Sequence, residues 1–192
     1  MFQKEVAMIL FINACVRKES RTKRLANYLL KKLNDDVKEI NLEKENINPL
    51  DAKILDLRTK LAEDKNFDNS IFDYAKDFAN ADTIVIAAPF WDLSFPASLK
   101  CYIEAINIIG LTFDYSPDGI PYGLCKAKKL YYITTSGGKI FNDEYGFGYI
   151  KSLCNNFYGI KNVSCIKAEN LDVIGSDVET ILRTAEEEIK NN

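Results

Sequence analysis

Uninterrupted apolar runs punctuate this chain, and between them apolar residues recur every three or four positions. Val6 to Ile12, Thr83-Ile84-Val85-Ile86-Ala87-Ala88, Lys129 to Thr135 and Val163 to Ala168 read as strands, with Asp36 to Leu42 a further one. The run Thr83 to Ala88, with no polar alternation, suits a strand covered on both faces, the mark of a parallel sheet in an α/β protein. Leu25, Ala26, Leu29, Leu30 and Leu33 share one helical face, and Ile71, Tyr74, Ala75 and Phe78 share another. Further helices are predicted around Tyr149 to Phe157 and from Asp177 to Lys190, with a weaker one from Asp51 to Leu61.

After the third strand, Ser94 is expected to cap a helix with Pro96 in its first turn. Leu99, Ile103, Ile106 and Ile109 supply that helix with a buried stripe, and Gly110 ends it. Leu111 to Lys126 reads as a loop, with Ser116-Pro117-Asp118-Gly119 as a turn. Five strands alternating with helices predict an α/β, doubly wound sheet with helices on both faces, in a single domain spanning 1–192.

Acidic residues outnumber basic ones 28 to 25, a formal charge of -3 that argues against a nucleic-acid surface. Basic residues nevertheless cluster locally, with Arg17, Lys18, Arg21, Lys23, Arg24, Lys31 and Lys32 set against Glu19 alone, which suits a phosphate better than a polyanion. Five cysteines without C-x-x-C spacing, and no histidine, fit a reduced cytoplasmic thiol set and no mixed metal site. Ile12-Asn13-Ala14-Cys15 resembles a lipoprotein cleavage site, but the short apolar run, the awkward Asn13 and the offset of Lys4 by Glu5 argue against export. No stretch approaches the ~18 apolar residues of a membrane span.

Chemistry gathers where strands end. In open α/β sheets ligands bind outside the carboxyl ends of the strands, where Phe90 and the only tryptophan, Trp91, fall. The alternative is that both rings simply cap the sheet. The first strand leads into Asn13-Ala14-Cys15-Val16-Arg17-Lys18-Glu19-Ser20-Arg21-Thr22, which lacks the G-x-G-x-x-G of a dinucleotide fold. Ser20, Arg21 and Thr22 at a helix start, with its open amides and partial positive charge, can hold a phosphate. Alternatively Ser20 serves as a helix cap with solvated basic neighbours. Gly137 and Gly138, after Thr135-Ser136, let backbone approach a ring. One phosphate pocket, a wall of Phe90, Trp91 and Leu93, and a glycine loop together suit a phosphorylated flat heterocycle.

These residues resemble the flavodoxin-like NAD(P)H quinone oxidoreductases, specifically the FMN-dependent NADH azoreductases. Ser20-Arg21-Thr22 is similar to that family's S-x-S/T element, and the segment Ala88 to Lys100 to its A-P-x-[YW]-N-[FL]-x-x-P-x-x-L-K motif. Gly110 to Gly119 followed by Gly123-Leu124 resembles its G-x-T-F-x-Y element, and Thr135-Ser136-Gly137-Gly138 its [ST]-x-G-G loop. The resemblance implies a flavodoxin-like sheet of order 2-1-3-4-5. It also implies a homodimer that takes hydride from NADH or NADPH onto FMN and passes it, by ping-pong turnover, to quinones, azo compounds or other flat acceptors. By position, Cys15, Arg17, Ser20, Arg21 and Thr22 would surround the phosphate and Pro89, Phe90, Trp91, Asp92 and Leu93 the ring and ribityl chain. Thr135, Ser136, Gly137 and Gly138 would meet the pyrimidine edge, and Phe113 and Tyr115 would line the acceptor pocket near the dimer seam.

Two positions depart from the pattern: Cys15 stands where serine is common, and Asp92 where asparagine is usual. Without histidine, a proton must come from water, from an acid, or from a tyrosine such as Tyr115. An electron carrier without a substrate of its own is the competing function. The Leu111 to Leu124 element, of a length to cover a substrate, argues against it.

Overall fold

A computed structural model describes residues 7–191, and the sequence features at Lys4, Glu5 and Val6 lie outside the described residues. Strand β1 (Met8–Asn13) leads to α1 (Arg21–Leu33), β2 (Asp36–Asn41) and α2 (Ala52–Glu63). A short 3-10 turn (Ser70–Phe72) precedes α3 (Asp73–Asn80), then come β3 (Thr83–Ala87) and α4 (Ala97–Ile106). A hairpin, β4 (Phe113–Tyr115) and β5 (Pro121–Gly123), precedes β6 (Lys129–Thr135), α5 (Tyr149–Leu153), β7 (Asn162–Ala168) and α6 (Val178–Asn191).

The sheet runs β2-β1-β3-β6-β7, all parallel. Since β4 and β5 pair only with each other, this is the order 2-1-3-4-5 in the numbering of the five sheet strands. Period-2 alternation along the three central strands sorts their side chains into two cores. Leu10, Ile12, Ile84, Ile86, Leu130 and Tyr132 meet Phe72, Phe78, Leu99, Tyr102 and Ile150 on one face. Ile9, Phe11, Val85 and Ile133 meet Leu25, Leu29, Leu182 and Ile189 on the other. Each fully buried side chain of this size contributes about 1.5–3 kcal/mol, so burial on both faces is what demands the continuous apolar runs. The outer strand β2 is buried only at Ile40, which explains its polar sequence.

Three local expectations are corrected. Ser94 does not cap α4; its Oγ donates to Tyr145 O (2.6 Å), and Pro96 takes the N-cap position with extended ψ. The helix stops at Ile106 rather than at Ile109, because the buried Thr112 Oγ1 donates to Ile106 O (2.7 Å) and accepts from Ile108 N (3.2 Å), replacing helical partners. The segment expected to be a loop carries the β4–β5 hairpin, whose tip is the predicted turn, with Gly119 N donating to Ser116 O (2.9 Å). Among the described residues no helix is long and apolar enough to cross a membrane.

Candidate functional site

All parallel strands deliver their carboxyl ends to one edge of the sheet, and the loops leaving β1, β3, β6 and β7 converge there on a cavity of about 340 Å³. The first loop is fixed by Asn13, which is buried: its Nδ2 donates to Glu39 Oε1 (2.8 Å) and its Oδ1 accepts from Cys15 N (3.0 Å). Cys15 lies at the cavity floor, its thiol in contact with Ala87 O (3.7 Å), and burial pushes its pKa above the ordinary thiol value.

Ser20, extended at φ -80, caps α1 by accepting from Lys23 N (3.2 Å). The first intrahelical bond runs from Arg24 N to Ser20 O, so the amides of Arg21 and Thr22 precede it and face the helix opening. No acid occupies the first turn itself, although Glu19 and Asp172 both line the cavity beside it. The capping role of Ser20 and its place on the cavity are therefore compatible, since a hydroxyl that accepts from Lys23 keeps its own proton to give. Thr22 is buried and shares a hydroxyl–hydroxyl bond of 2.6 Å with Thr135, tying α1 to the end of β6. Arg21 lines the cavity from the side, and Arg17 stands exposed on its rim.

The opposite wall is aromatic. Phe90 N donates to Thr135 O (3.0 Å), locking the loop after β3 onto β6 and presenting Pro89, Phe90 and Trp91 to the cavity. The chain then reverses sharply: Trp91 N donates to Ser94 O (3.1 Å) and Ser94 N to Trp91 O (2.7 Å). Between them Asp92 (φ 51) and Leu93 (φ 66) both adopt left-handed backbone, as a type I′ turn requires. Both project into solvent at the tip, outside the cavity lining.

From β6, Thr135, Ser136 and Gly137 line the cavity, whereas Gly138 is exposed beyond it. Ser136 Oγ donates to Gly138 O (2.5 Å), closing the turn. Sequence reasoning missed a fourth loop, at Leu171 and Asp172 after β7. Leu171 N donates to Ser136 O (3.2 Å) and Asp172 N to Gly137 O (2.9 Å), while Arg21 Nη1 donates to Asp172 Oδ1 (2.7 Å) and Leu171 O (3.2 Å). A β-carbon on residue 137 would stand 2.5 Å from Asp172 Oδ2, so glycine at that position is what admits the carboxylate. The available signal was topological: residues following the fifth parallel strand must reach the same edge as the rest.

Phe113 and Tyr115 are not brought to the cavity. Phe113, expected on an exposed loop, is buried in its own subunit, stacked on Phe157 at 4.5 Å and 4°. Tyr115 meets its edge at 5.7 Å and remains 43% exposed. Of the two rings, Tyr115 alone is left exposed.

The cavity thus gathers donors at the α1 end, the apolar side chains of Pro89, Phe90 and Trp91, and the Thr135–Gly137 turn. The chain is 39% identical over 183 residues to an FMN-dependent NADH:quinone oxidoreductase of Clostridium perfringens, covering 91% of each. It is also 39% identical over 198 residues to FMN-dependent NADH:quinone oxidoreductase 2 of Clostridium acetobutylicum, covering 96% of this chain and 97% of that one. Among solved structures it superposes with a TM-score of 0.82 on an azoreductase from Bacillus anthracis, at 27% identity over 96% of this chain and 97% of that one. An FMN-dependent NADH-azoreductase of the same species, solved in complex with FMN, gives 0.80 at 26% identity, with 96% of each chain covered. Sheet order, cavity position and these likenesses agree with the family model described as flavodoxin-like fold, which matches residues 7–192, and the chain belongs to that family.

Proposed function

We propose that this chain is an FMN-dependent NADH:quinone oxidoreductase that also reduces azo compounds, built as one domain over residues 1–192. The observation that carries the reading is the cavity itself, with a capped helix start that has no acid in its first turn and, beside it, Phe90 and Trp91 in the lining. The identities to proteins named for that activity support it. The reading of a carrier without its own substrate is not favoured by those names.

When bound, FMN supplies two-electron chemistry between a nicotinamide donor and a flat acceptor. The protein's share is placement. The Arg21 and Thr22 amides and the Ser20 hydroxyl hold the phosphate, with Arg17 and Arg21 supplying the charge and Cys15 the floor. Thr22 serves mainly as a strut, because its hydroxyl is already bonded to Thr135. Pro89, Phe90 and Trp91 hold one side of the ring, with Asp92 and Leu93 at the mouth. Thr135, Ser136, Gly137 and Gly138 offer backbone and hydroxyl groups to its polar edge.

A homodimer completes the proposal. Trp91, Leu93, Ile109, Tyr115, Ile120 and Tyr122 are exposed apolar side chains on the loops after β3 and α4 and on the hairpin, more than a lone soluble subunit usually shows together. In the pair, Tyr115 reaches the partner's cavity as acceptor wall and proton donor, held at its edge by Phe113. Sedimentation should give twice the 21.8 kDa chain mass, and a fully active single chain would refute the shared site. Five free thiols support a cytoplasmic location. The decisive test is reconstitution with FMN followed by anaerobic NADH titration. A yellow protein bleached by stoichiometric NADH is expected, and failure to retain FMN would overturn the reading.

A further inference from the structure

The basic residues of the first turns of α1 are each met by a carboxylate. Arg21 is paired with Asp172 (2.7 Å), Lys23 with Glu39 (3.2 Å), and Arg24 with both Glu179 (2.7 Å) and Glu186 (2.8 Å). The cavity lining sets Arg17 and Arg21 against Glu19 and Asp172, so the end that faces an anion is rich in directional donors and poor in net charge. Of these carboxylates Asp172 belongs to the cavity lining, where the exposed Glu19 also stands, and the fold holds Asp172 in place. Its amide is bonded to Gly137 O, its carboxylate occupies the space left by the missing side chain of Gly137, and Arg21 clamps it. The loop beyond it, Val173 and Ile174, is exposed, so this loop is anchored at Asp172 rather than by apolar packing of its tip.

We propose that Asp172 is a specificity-determining residue that holds down the cavity's affinity for the phosphate group, so that a bare phosphate does not lodge there and ring contacts decide which ester is retained. The inference rests on the reading of the cavity as an FMN site. Two effects act in the same direction. A phosphate must share Arg21 with a carboxylate already at 2.7 Å, and it must approach the like charge held on that same arginine. Both are moderate, because the pair is half exposed, with side chains 40% and 66% accessible. A unit charge several ångströms from a phosphate dianion in a solvated site amounts to a few-fold to about tenfold in affinity.

The test compares wild type with Asp172→Asn and Asp172→Ser, as apo-protein, using inorganic phosphate, riboflavin and FMN as probes. Calorimetric titration with inorganic phosphate should show about three- to tenfold tighter binding in both variants at low ionic strength. That gain should shrink towards unity near 1 M NaCl, where screening acts over ~3 Å. Riboflavin, which lacks the phosphate, should bind all three proteins within about twofold by fluorescence quenching, so the preference for FMN over riboflavin rises by the same factor as phosphate affinity. Unchanged or weaker phosphate binding in both variants, with wild type still binding FMN, would overturn the role of Asp172. A wild-type protein that binds no FMN would instead overturn the functional reading beneath it.

Discussion

At the α1 end of the cavity every backbone conformation is an easy one: Ser20 is extended ahead of a helix, its hydroxyl takes the Lys23 amide, and Thr22 meets Thr135 inside the protein. At the aromatic end the chain is bent against its preference, with Asp92 and the branched Leu93 both in left-handed backbone between Trp91 and Ser94. Such a conformation costs roughly 1–2 kcal/mol for a non-glycine residue. The difference separates two ways of building a site. A helix start recognises an anion with groups the helix leaves free anyway, so recognition there costs the fold little. An apolar wall has no such ready source, and here the loop that carries it is secured by a tight reversal anchored through Ser94 Oγ to Tyr145 O.

The comparison breaks most severely if the α1 end loses its hydroxyls. Replacing Ser20 and Thr22 together by alanine should weaken FMN by about 1–3 kcal/mol. It should also lower unfolding stability by about 2 kcal/mol, since an N-cap and a buried hydroxyl pair both disappear. Fluorescence titration and urea unfolding read the two losses separately, and intact FMN affinity would place the phosphate elsewhere. Leu93→Gly acts on the other end with the opposite sign. Relieving one left-handed position should stabilise the fold by about 1 kcal/mol in urea unfolding, because little apolar burial is lost at a residue 58% exposed. A destabilised variant would show that the turn is not strained. The smallest effect is expected from Asp92→Asn, which keeps the turn but removes a charge at its exposed tip. The flavin midpoint potential should rise by roughly 5–15 mV, equivalent to a few tenths of a kcal/mol for two electrons. No shift, or a fall, would mean that the carboxylate is turned from the ring or already compensated.

What was readable in the chain follows the same division. Strands β1, β3 and β6 announce themselves because burial on both faces leaves no room for polar alternation, and their order fixes where loops must meet. Ser20 to Thr22, Pro89 to Trp91 and Thr135 to Gly137 line one cavity for that reason. What escaped was decided between residues far apart in sequence. Ser94 has a cap's chemistry, but Tyr145 O competes for it; α4 has an apolar stripe through Ile109, but Thr112 folds back to end it early. Phe113 looks like a binding aromatic until Phe157 is seen stacked upon it. Leu171 and Asp172 carry no local motif, and their importance arises from Arg21 and Gly137, supplied by two other loops.

The backbone ties across the cavity floor, Phe90 N to Thr135 O, Ser136 N to Ala168 O and Leu171 N to Ser136 O, join the ends of β3, β6 and β7 into one unit. A ligand seated on that unit binds the folded chain and finds nothing to hold in the unfolded one. At a hundredfold excess over its dissociation constant it adds about 2.7 kcal/mol to unfolding stability, a large fraction of what a domain possesses. Flavin supply thereby becomes a determinant of protein abundance: in a riboflavin-starved cell the apo-chain visits its unfolded state up to about a hundred times more often, and proteolysis removes it at a correspondingly higher rate.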